Sequence, residues 1–507
     1  MLICSKDNIR LEEDLLYNFN INLNIQRMID VKTPILDKLI DTMDKERISF
    51  HTPGHKGKNT LIEWGKLVPY GDTTELSGLD NLHYPTGIIK ESQDLAARTF
   101  GAKKTIYSVG GTTAGIYIAL GTLTNPGDKI LIQRESHKSV YKAAILNKLT
   151  TEYIYTNYNR KYQVYTGVNP RDIEKKLTDD PSIKVVVITY PNYYGICSNI
   201  EKIAEIVHKH NRLLLVDEAH GSHLVFSNKL PIPSLKAGAD LVVQSTHKSL
   251  PSLTQTSMIH VGTDRVDIQK LCDISSLYQT TSPSYLFMAS LELARAYMEG
   301  EGKERLNRNI DNIHELIESL KSIEKVKIFT GDENDRTIYD IDISKILLGI
   351  KGLTGSQLSN ILMKDYGIYM EMSDFNYTLA LATVMNEAGD FKELLKAIEA
   401  IAGKEFEGSN PCLVPNLPEP KIEMPIHEAY YSNKEEVDLV DSIGRISSSF
   451  ITPYPPGVPV VCPGELITEK ILDYIQLALD KGIEIIGLIG YNREKIQVVK
   501  EEGNDRY

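Results

Sequence analysis

The sequence predicts an α/β protein, with a large domain on a mostly parallel sheet followed by a smaller α+β domain and a C-terminal α+β domain. Three observations support this. Short apolar runs alternate with helix-like segments from about Thr105, the pattern changes after a helical stretch beginning near Tyr285, and a Pro-rich stretch at 411–425 precedes the C-terminal part.

The strand-like runs are TIYSV (105–109), KILIQ (129–133), KVVVIT (184–189), RLLLVD (212–217) and DLVVQST (240–246). Unbroken apolar runs suit strands covered on both faces, as in parallel sheets. Between them lie helical segments such as EKIAEIVHKH, where Ile203, Ile206 and Val207 share a face. Further on, KVKIF and TIYDIDI read as strands, and GSQLSNILMKDYG and FKELLKAIEAIAG as helices. The expected division is an N-terminal segment 1–32, a large domain 33–300, a small domain 301–410 and a C-terminal domain 411–507. From Met28 the chain reads as an amphipathic opening. Residues 1–27 show no pattern and read as an appendage, or as lying upstream of the natural start.

At 507 residues the chain exceeds one ordinary core. Composition is that of a globular protein, and no run approaches the roughly 18 apolar residues that span a bilayer. No membrane association is expected. The first thirty residues lack the basic start and apolar centre of a secretory signal. Cys4, Cys197, Cys272, Cys412 and Cys462 are scattered without a CxxC pair, which suggests reduced thiols and a cytoplasmic location. A net charge of -12 argues against non-specific nucleic-acid binding and mildly favours a cationic ligand.

The chemistry-bearing pattern is Asp217-Glu-Ala-His220 at the end of one apolar run and Ser245-Thr-His247-Lys248 at the end of another. In open α/β sheets ligands bind at the carboxyl ends of strands, so both motifs would face one crevice. Pyridoxal 5'-phosphate (PLP) chemistry calls for these residue types. A lysine amine condenses with the cofactor aldehyde, and an aspartate beside the pyridine nitrogen keeps it protonated. The turn SVGGTTAG (108–115) opens a helix, so Gly111, Thr112 and Thr113 would offer N–H groups and hydroxyls to a phosphate. Each part also has a plainer reading. Asp217 could cap a helix, His220 and His247 could be surface histidines, Lys248 could be solvated, and most Gly-rich turns are only turns. The ordered combination favours PLP.

Two other motifs lead nowhere. DEAH without GxxxxGK[ST] does not make a helicase, and GHKGKN (54–59) lacks both the spacing and the hydroxyl. His208 and His210 point roughly 200° apart on a helix and cannot close on one ion, so no metal is expected.

On FHTPGHKGK (50–58), ELSGLDNLHYPTGIIKESQ (75–93), SHKSVY (136–141), DEAHGSH (217–223), STHKSLPSLTQTS (245–257), TTSPSY (280–285) and YPPGVP…CPGE (454–465), the chain resembles the prokaryotic ornithine/lysine/arginine decarboxylases. That resemblance implies the aspartate aminotransferase-like fold (fold type I) and PLP. It implies Lys248 as the Schiff-base lysine, Asp217 as partner of the pyridine nitrogen, and His137 stacked on the ring. Without it, His137 reads as the first polar residue of a helix. Thr112, Thr113, Ser245 and His247 would hold the phosphate, and His220 would lie near the cofactor's polar edge. Thr281 or Ser282 would reach the phosphate of a second subunit, and Glu465 would meet the substrate's distal group near the entrance. Large members of the family carry an N-terminal wing domain. With about 30 residues before the core, a wingless homodimer or homotetramer is expected. Lys58 and residues 1–27 depart from the family pattern. The expected reaction is decarboxylation of L-arginine to agmatine, with lysine to cadaverine or ornithine to putrescine as alternatives. Other fold-type I chemistry, such as transamination or aldol cleavage, and a non-catalytic regulatory relative stand as alternatives of another class.

Overall fold

A computed structural model describes residues 34–43, 47–58, 61–406, 416–454, 457–480, 483–490 and 494–501. The expected N-terminal segment 1–32 and the first part of the Pro-rich stretch, 411–415, lie outside the described residues. The chain divides into two units, 1–47 and 48–507. In the first, the amphipathic opening is the helix Pro34–Met43.

In the second unit, seven strands form the main sheet: Lys104–Ser108 (β1), Lys129–Gln133 (β2), Thr150–Ile154 (β3), Ile183–Thr189 (β4), Leu213–Asp217 (β5), Leu241–Gln244 (β6) and Ser257–Val261 (β7). Their order is β1-β7-β6-β5-β4-β2-β3. All neighbours are parallel except β7, which runs antiparallel to both β6 and β1.

Alternate residues of the apolar runs go to opposite faces, as the two-residue strand period requires. Leu131, Val186, Ile188, Leu214, Val216 and Val242 pack with Ile89, Phe100, Ile203 and Val207. Ile130, Ile132, Val185, Val187, Leu215 and Val243 pack with Ile116, Ile118, Val140 and Leu271. The first face is thus covered by helices Ile88–Phe100 and Ile200–Lys209, and the second by Gly111–Leu123, Lys138–Leu146 and Ile268–Tyr278. Each fully buried Val, Leu or Ile contributes about 1.5–3 kcal/mol. Two strands were not among the expected runs. In β7, His260 interrupts the apolar pattern and is accommodated by bonds to Thr105 Oγ1 (2.8 Å) and Gln244 Oε1 (3.2 Å). Edge strand β3 carries Glu152, which pairs with Lys176.

A four-stranded antiparallel sheet follows, in the order Val326–Ile328, Lys345–Ile350, Thr378–Leu381, Met372–Ser373. It packs on helices Lys303–Lys321, Gly355–Tyr366 and Ala388–Ala402. The expected TIYDIDI strand reduces to Asp340–Ile341, paired with Ile196–Cys197, while the fully buried Lys345–Ile350 is a main strand of this sheet. Ile48–Phe50 pairs in parallel with Ile368–Met370, tying the segment before PGHKGK to this part of the fold. In the C-terminal region, Lys434–Asp438 pairs with Lys495–Val499 and Thr452–Tyr454 with Glu484–Ile486, beside helix Glu469–Asp480. Ile426 and Cys462 from this region join the second face of the main sheet.

Candidate active site

The candidate site gathers at the carboxyl ends of β2, β5 and β6, with the loop after β1. Asp217 is the last residue of β5 and is buried. Its Oδ1 accepts the Ala219 N–H at 3.2 Å. Burial pushes its carboxyl up from the ordinary range, and Lys248 opposes that shift. The chain leaving β6 turns at Ser245 into the one-turn helix Thr246–Ser249, a short element that the extended reading of 240–246 did not anticipate. This turn carries the Lys248 amine inward, with Nζ 3.0 Å from His220 Nε2.

An ammonium only donates, so Nε2 of His220 accepts, and the imidazole is neutral. Burial and the adjacent Lys248 hold His220 well below the usual histidine range. Burial also lowers Lys248, against the pull of Asp217 and Glu371. Part of its amine is thereby shifted toward the free base that condensation needs.

His137 takes the position its plainer reading expects, at the start of a helix. It is the N-cap of helix Lys138–Leu146, its Nδ1 accepting the Ser139 N–H at 3.2 Å. It also lies in the field of Lys248, and burial followed by that charge pushes it down to about 4. The ring is neutral at pH 7.

Beside this group stands the start of helix Gly111–Leu123, whose first-turn N–H groups have no acceptor within the helix. Gly111 adopts φ +70° and its N–H goes to Gln255 O at 2.9 Å, so it shapes the turn while Thr112 and Thr113 present the donors. Thr112 Oγ1 bonds Ser245 Oγ and lies 3.4 Å from Ser257 Oγ, which brings the β1 loop and the β6 loop together. His247 Nδ1 donates to Thr256 O at 2.8 Å, leaving Nε2 available. Thr113 is exposed at the mouth of the turn. These hydroxyls and N–H groups suit a phosphate monoester, whereas the neutral His247 ring, with its proton on Nδ1, offers only an acceptor at Nε2. A buried carboxylate and a desolvated lysine beside them suit a pyridinium aldehyde, so the residues present fit PLP.

Ser282, expected at the phosphate of a second subunit, lies apart from the Lys248 group, and Glu465 falls away from its expected place at the entrance. Ser282 is exposed, its N–H bonded to Thr280 Oγ1 at 3.2 Å, and it does not join the Lys248 group within this chain. Glu465 does not stand at an open entrance. It is 1% exposed, its Oε2 accepts the Cys462 N–H at 2.8 Å, and it pairs with Arg134 at 3.4 Å. The guanidinium of Arg134 also lies over the rings of Tyr141 and Tyr153 and donates to Pro459 O at 2.8 Å. A buried cation on the loop after β2 needs a counter-charge, and Glu465 supplies it.

Several supporting residues were not singled out from the sequence. The Gly54 N–H donates to His247 O at 2.6 Å, and a Cβ on Gly54 would lie 2.5 Å from Leu250 O, so only glycine permits this approach to the Lys248 loop. Lys345 Nζ donates to His220 O at 2.7 Å and pairs with Asp342, which also meets His223 at 3.1 Å. A lysine opening the apolar run KILLGI was the available signal for Lys345. Among the described residues no group of three or more His, Cys, Asp or Glu side chains could hold a metal ion. Among them, too, no helix is long and apolar enough to cross a membrane.

The family model "Orn/Lys/Arg decarboxylase, major domain" matches residues 33–341, and "Orn/Lys/Arg decarboxylase, C-terminal domain" matches 416–495. An arginine decarboxylase of Bacillus anthracis is 32% identical over 488 residues, covering 94% of this chain and 99% of that relative. The arginine decarboxylase of Bacillus subtilis is 32% identical over 485 residues, 93% of this chain and 98% of that relative. Among solved structures, the constitutive lysine decarboxylase of Escherichia coli aligns with TM-score 0.72 and 21% identity over 92% of this chain and 82% of that one, a likeness of fold. With its two domain models in sequence order and relatives matched nearly end to end, this chain belongs to the Orn/Lys/Arg decarboxylase family.

Proposed function

We propose that this chain holds PLP on Lys248 and removes the α-carboxylate of a basic amino acid, L-arginine first, giving agmatine and carbon dioxide. One observation carries the reading. The buried Asp217 carboxylate, the Lys248 amine and the His220 imidazole form one desolvated group at the strand ends, with the Thr112–Ser245 hydroxyl pair beside it. Bound PLP supplies an electron-withdrawing ring that receives the electrons left when carbon dioxide departs.

The chain's own residues do the rest. Asp217 stabilises a proton on the ring nitrogen, and each pKa unit it adds there corresponds to about 1.4 kcal/mol. His137, neutral and fixed by Ser139, covers one ring face and excludes water. Thr112, Thr113 and Ser245 orient the phosphate, with His247 Nε2 donating to it when the ring is protonated, and His220 holds the Lys248 amine in place. Ser282 reaches the phosphate in a second copy of the chain, which makes a homodimer the working unit. Arginine ranks before lysine and ornithine because the relatives matched end to end are arginine decarboxylases. The test is to incubate PLP-loaded protein separately with arginine, lysine and ornithine and to quantify the amine formed. Agmatine formed fastest supports the reading. Faster cadaverine or putrescine transfers the substrate to lysine or ornithine, and no amine from any of them removes the decarboxylase assignment.

A further inference from the structure

Glu465 is committed to Arg134, so the distal cation of a basic substrate needs another carboxylate, and Glu371 is placed for it. Glu371 directly follows the strand Ile368–Met370, paired with Ile48–Phe50, and its N–H is fixed to Leu379 O at 2.9 Å. Its Oε2 accepts the Thr52 N–H at 2.6 Å. Two residues along the same segment, the Gly54 N–H bonds His247 O at 2.6 Å, next to Lys248. Two residues of chain span at most about 7 Å, so one short segment ties the Glu371 carboxylate to the loop that carries the lysine.

The charge around Glu371 points the same way. Among the described residues it has no salt bridge, although it is only half-buried and Lys56 is close by. The Lys56 ammonium instead donates to two carbonyls, His51 O and Leu381 O, both at 2.8 Å. Lys345 is likewise committed, to Asp342 and His220 O. The fields of Asp217 and Glu371 both act on Lys248, and Asp217 is buried at the strand end. Glu371 therefore brings a carboxylate that has no salt bridge among the described residues into the field of the amine that exchanges with substrate.

We propose that Glu371 is a specificity-determining residue that receives the distal guanidinium or ammonium of the substrate on the carboxylate oxygen not facing Thr52. This rests on the reading that the substrate is a basic amino acid, and the test separates the two. PLP-loaded wild type, Glu371→Gln and Glu371→Asp are titrated by calorimetry with agmatine, cadaverine and n-pentylamine, the last lacking a distal charge. Glutamine keeps an acceptor for the Thr52 N–H and removes only the charge.

Wild type is expected to bind agmatine or cadaverine at least tenfold more tightly than n-pentylamine. Glu371→Gln should lose ten- to a hundredfold for the charged amines and little for n-pentylamine, with Glu371→Asp intermediate. In turnover, the loss should appear in KM more than in kcat. Equal loss for charged and uncharged amines would show that Glu371 merely orders the Thr52 segment. Unchanged affinity for the charged amines, or no wild-type preference for them, would also overturn the proposal. Failure to decarboxylate any basic amino acid would remove the proposed function, while the amine titrations would still decide the role of Glu371.

Discussion

Lys248 Nζ stands 3.0 Å from His220 Nε2, and the backbone carbonyl of His220 is itself held by Lys345 Nζ at 2.7 Å. The imidazole that receives the Lys248 amine is therefore anchored from the four-stranded sheet. His220→Ala removes the acceptor. A buried hydrogen bond to a charged group contributes about 1.5–3 kcal/mol, so kcat/KM should fall roughly ten- to a hundredfold with the circular dichroism spectrum unchanged. Steady-state kinetics checks this, and wild-type kinetics in the variant would remove His220 from the site.

Asp217 and His137 should separate in their effects. Asp217→Ala should nearly abolish decarboxylation while PLP still binds, because the ring nitrogen loses its counter-charge. His137→Ala should weaken cofactor retention and lower the rate less completely. Equal and mild losses in both would contradict the arrangement.

Gly54→Ala places a methyl 2.5 Å from the Leu250 carbonyl oxygen, so the Lys248 loop or the PGHKGK segment must shift. Dialysis should strip PLP from this variant faster than from wild type. Retention equal to wild type would show that the segment relaxes freely.

The Arg134–Glu465 pair should matter for stability. Removing one member of a buried pair costs about 3–5 kcal/mol because the other charge is left uncompensated. Glu465→Ala should lower the denaturation midpoint clearly, whereas Arg134→Met with Glu465→Leu should recover much of the loss. Urea titration of the single and double variants provides the measurement.

His260 gives a pH dependence whose sign follows from burial. Its folded-state pKa is pushed down to about 3 from an ordinary 6.5, so between those values the unfolded chain binds more protons and stability falls as pH falls. The stability advantage of wild type over His260→Gln should shrink from pH 7 to pH 5, by up to about 1.4 kcal/mol per unit. Buried Glu218, raised to about 7, acts in the opposite sense between pH 4.5 and 7, so only this difference isolates His260.

Much of this fold was legible in the sequence because its central strands are buried on both faces and read as unbroken apolar runs, as at 184–189 and 212–217. What escaped were strands whose polar residues find partners only in three dimensions: β7 with His260, β3 with Glu152, and the strand opened by Lys345. Asp217, His220 and Lys248 could be found because strand ends mark the crevice. Arg134 and Glu465 meet across 331 residues, and Thr52 and Glu371 across 319, pairings that no local pattern encodes.

The central claim is tested most directly by product balance. PLP-loaded protein incubated with L-arginine should release carbon dioxide and agmatine in equal amounts, and Lys248→Ala should release neither while remaining folded. A keto acid in place of agmatine, or undiminished turnover by Lys248→Ala, would contradict the account.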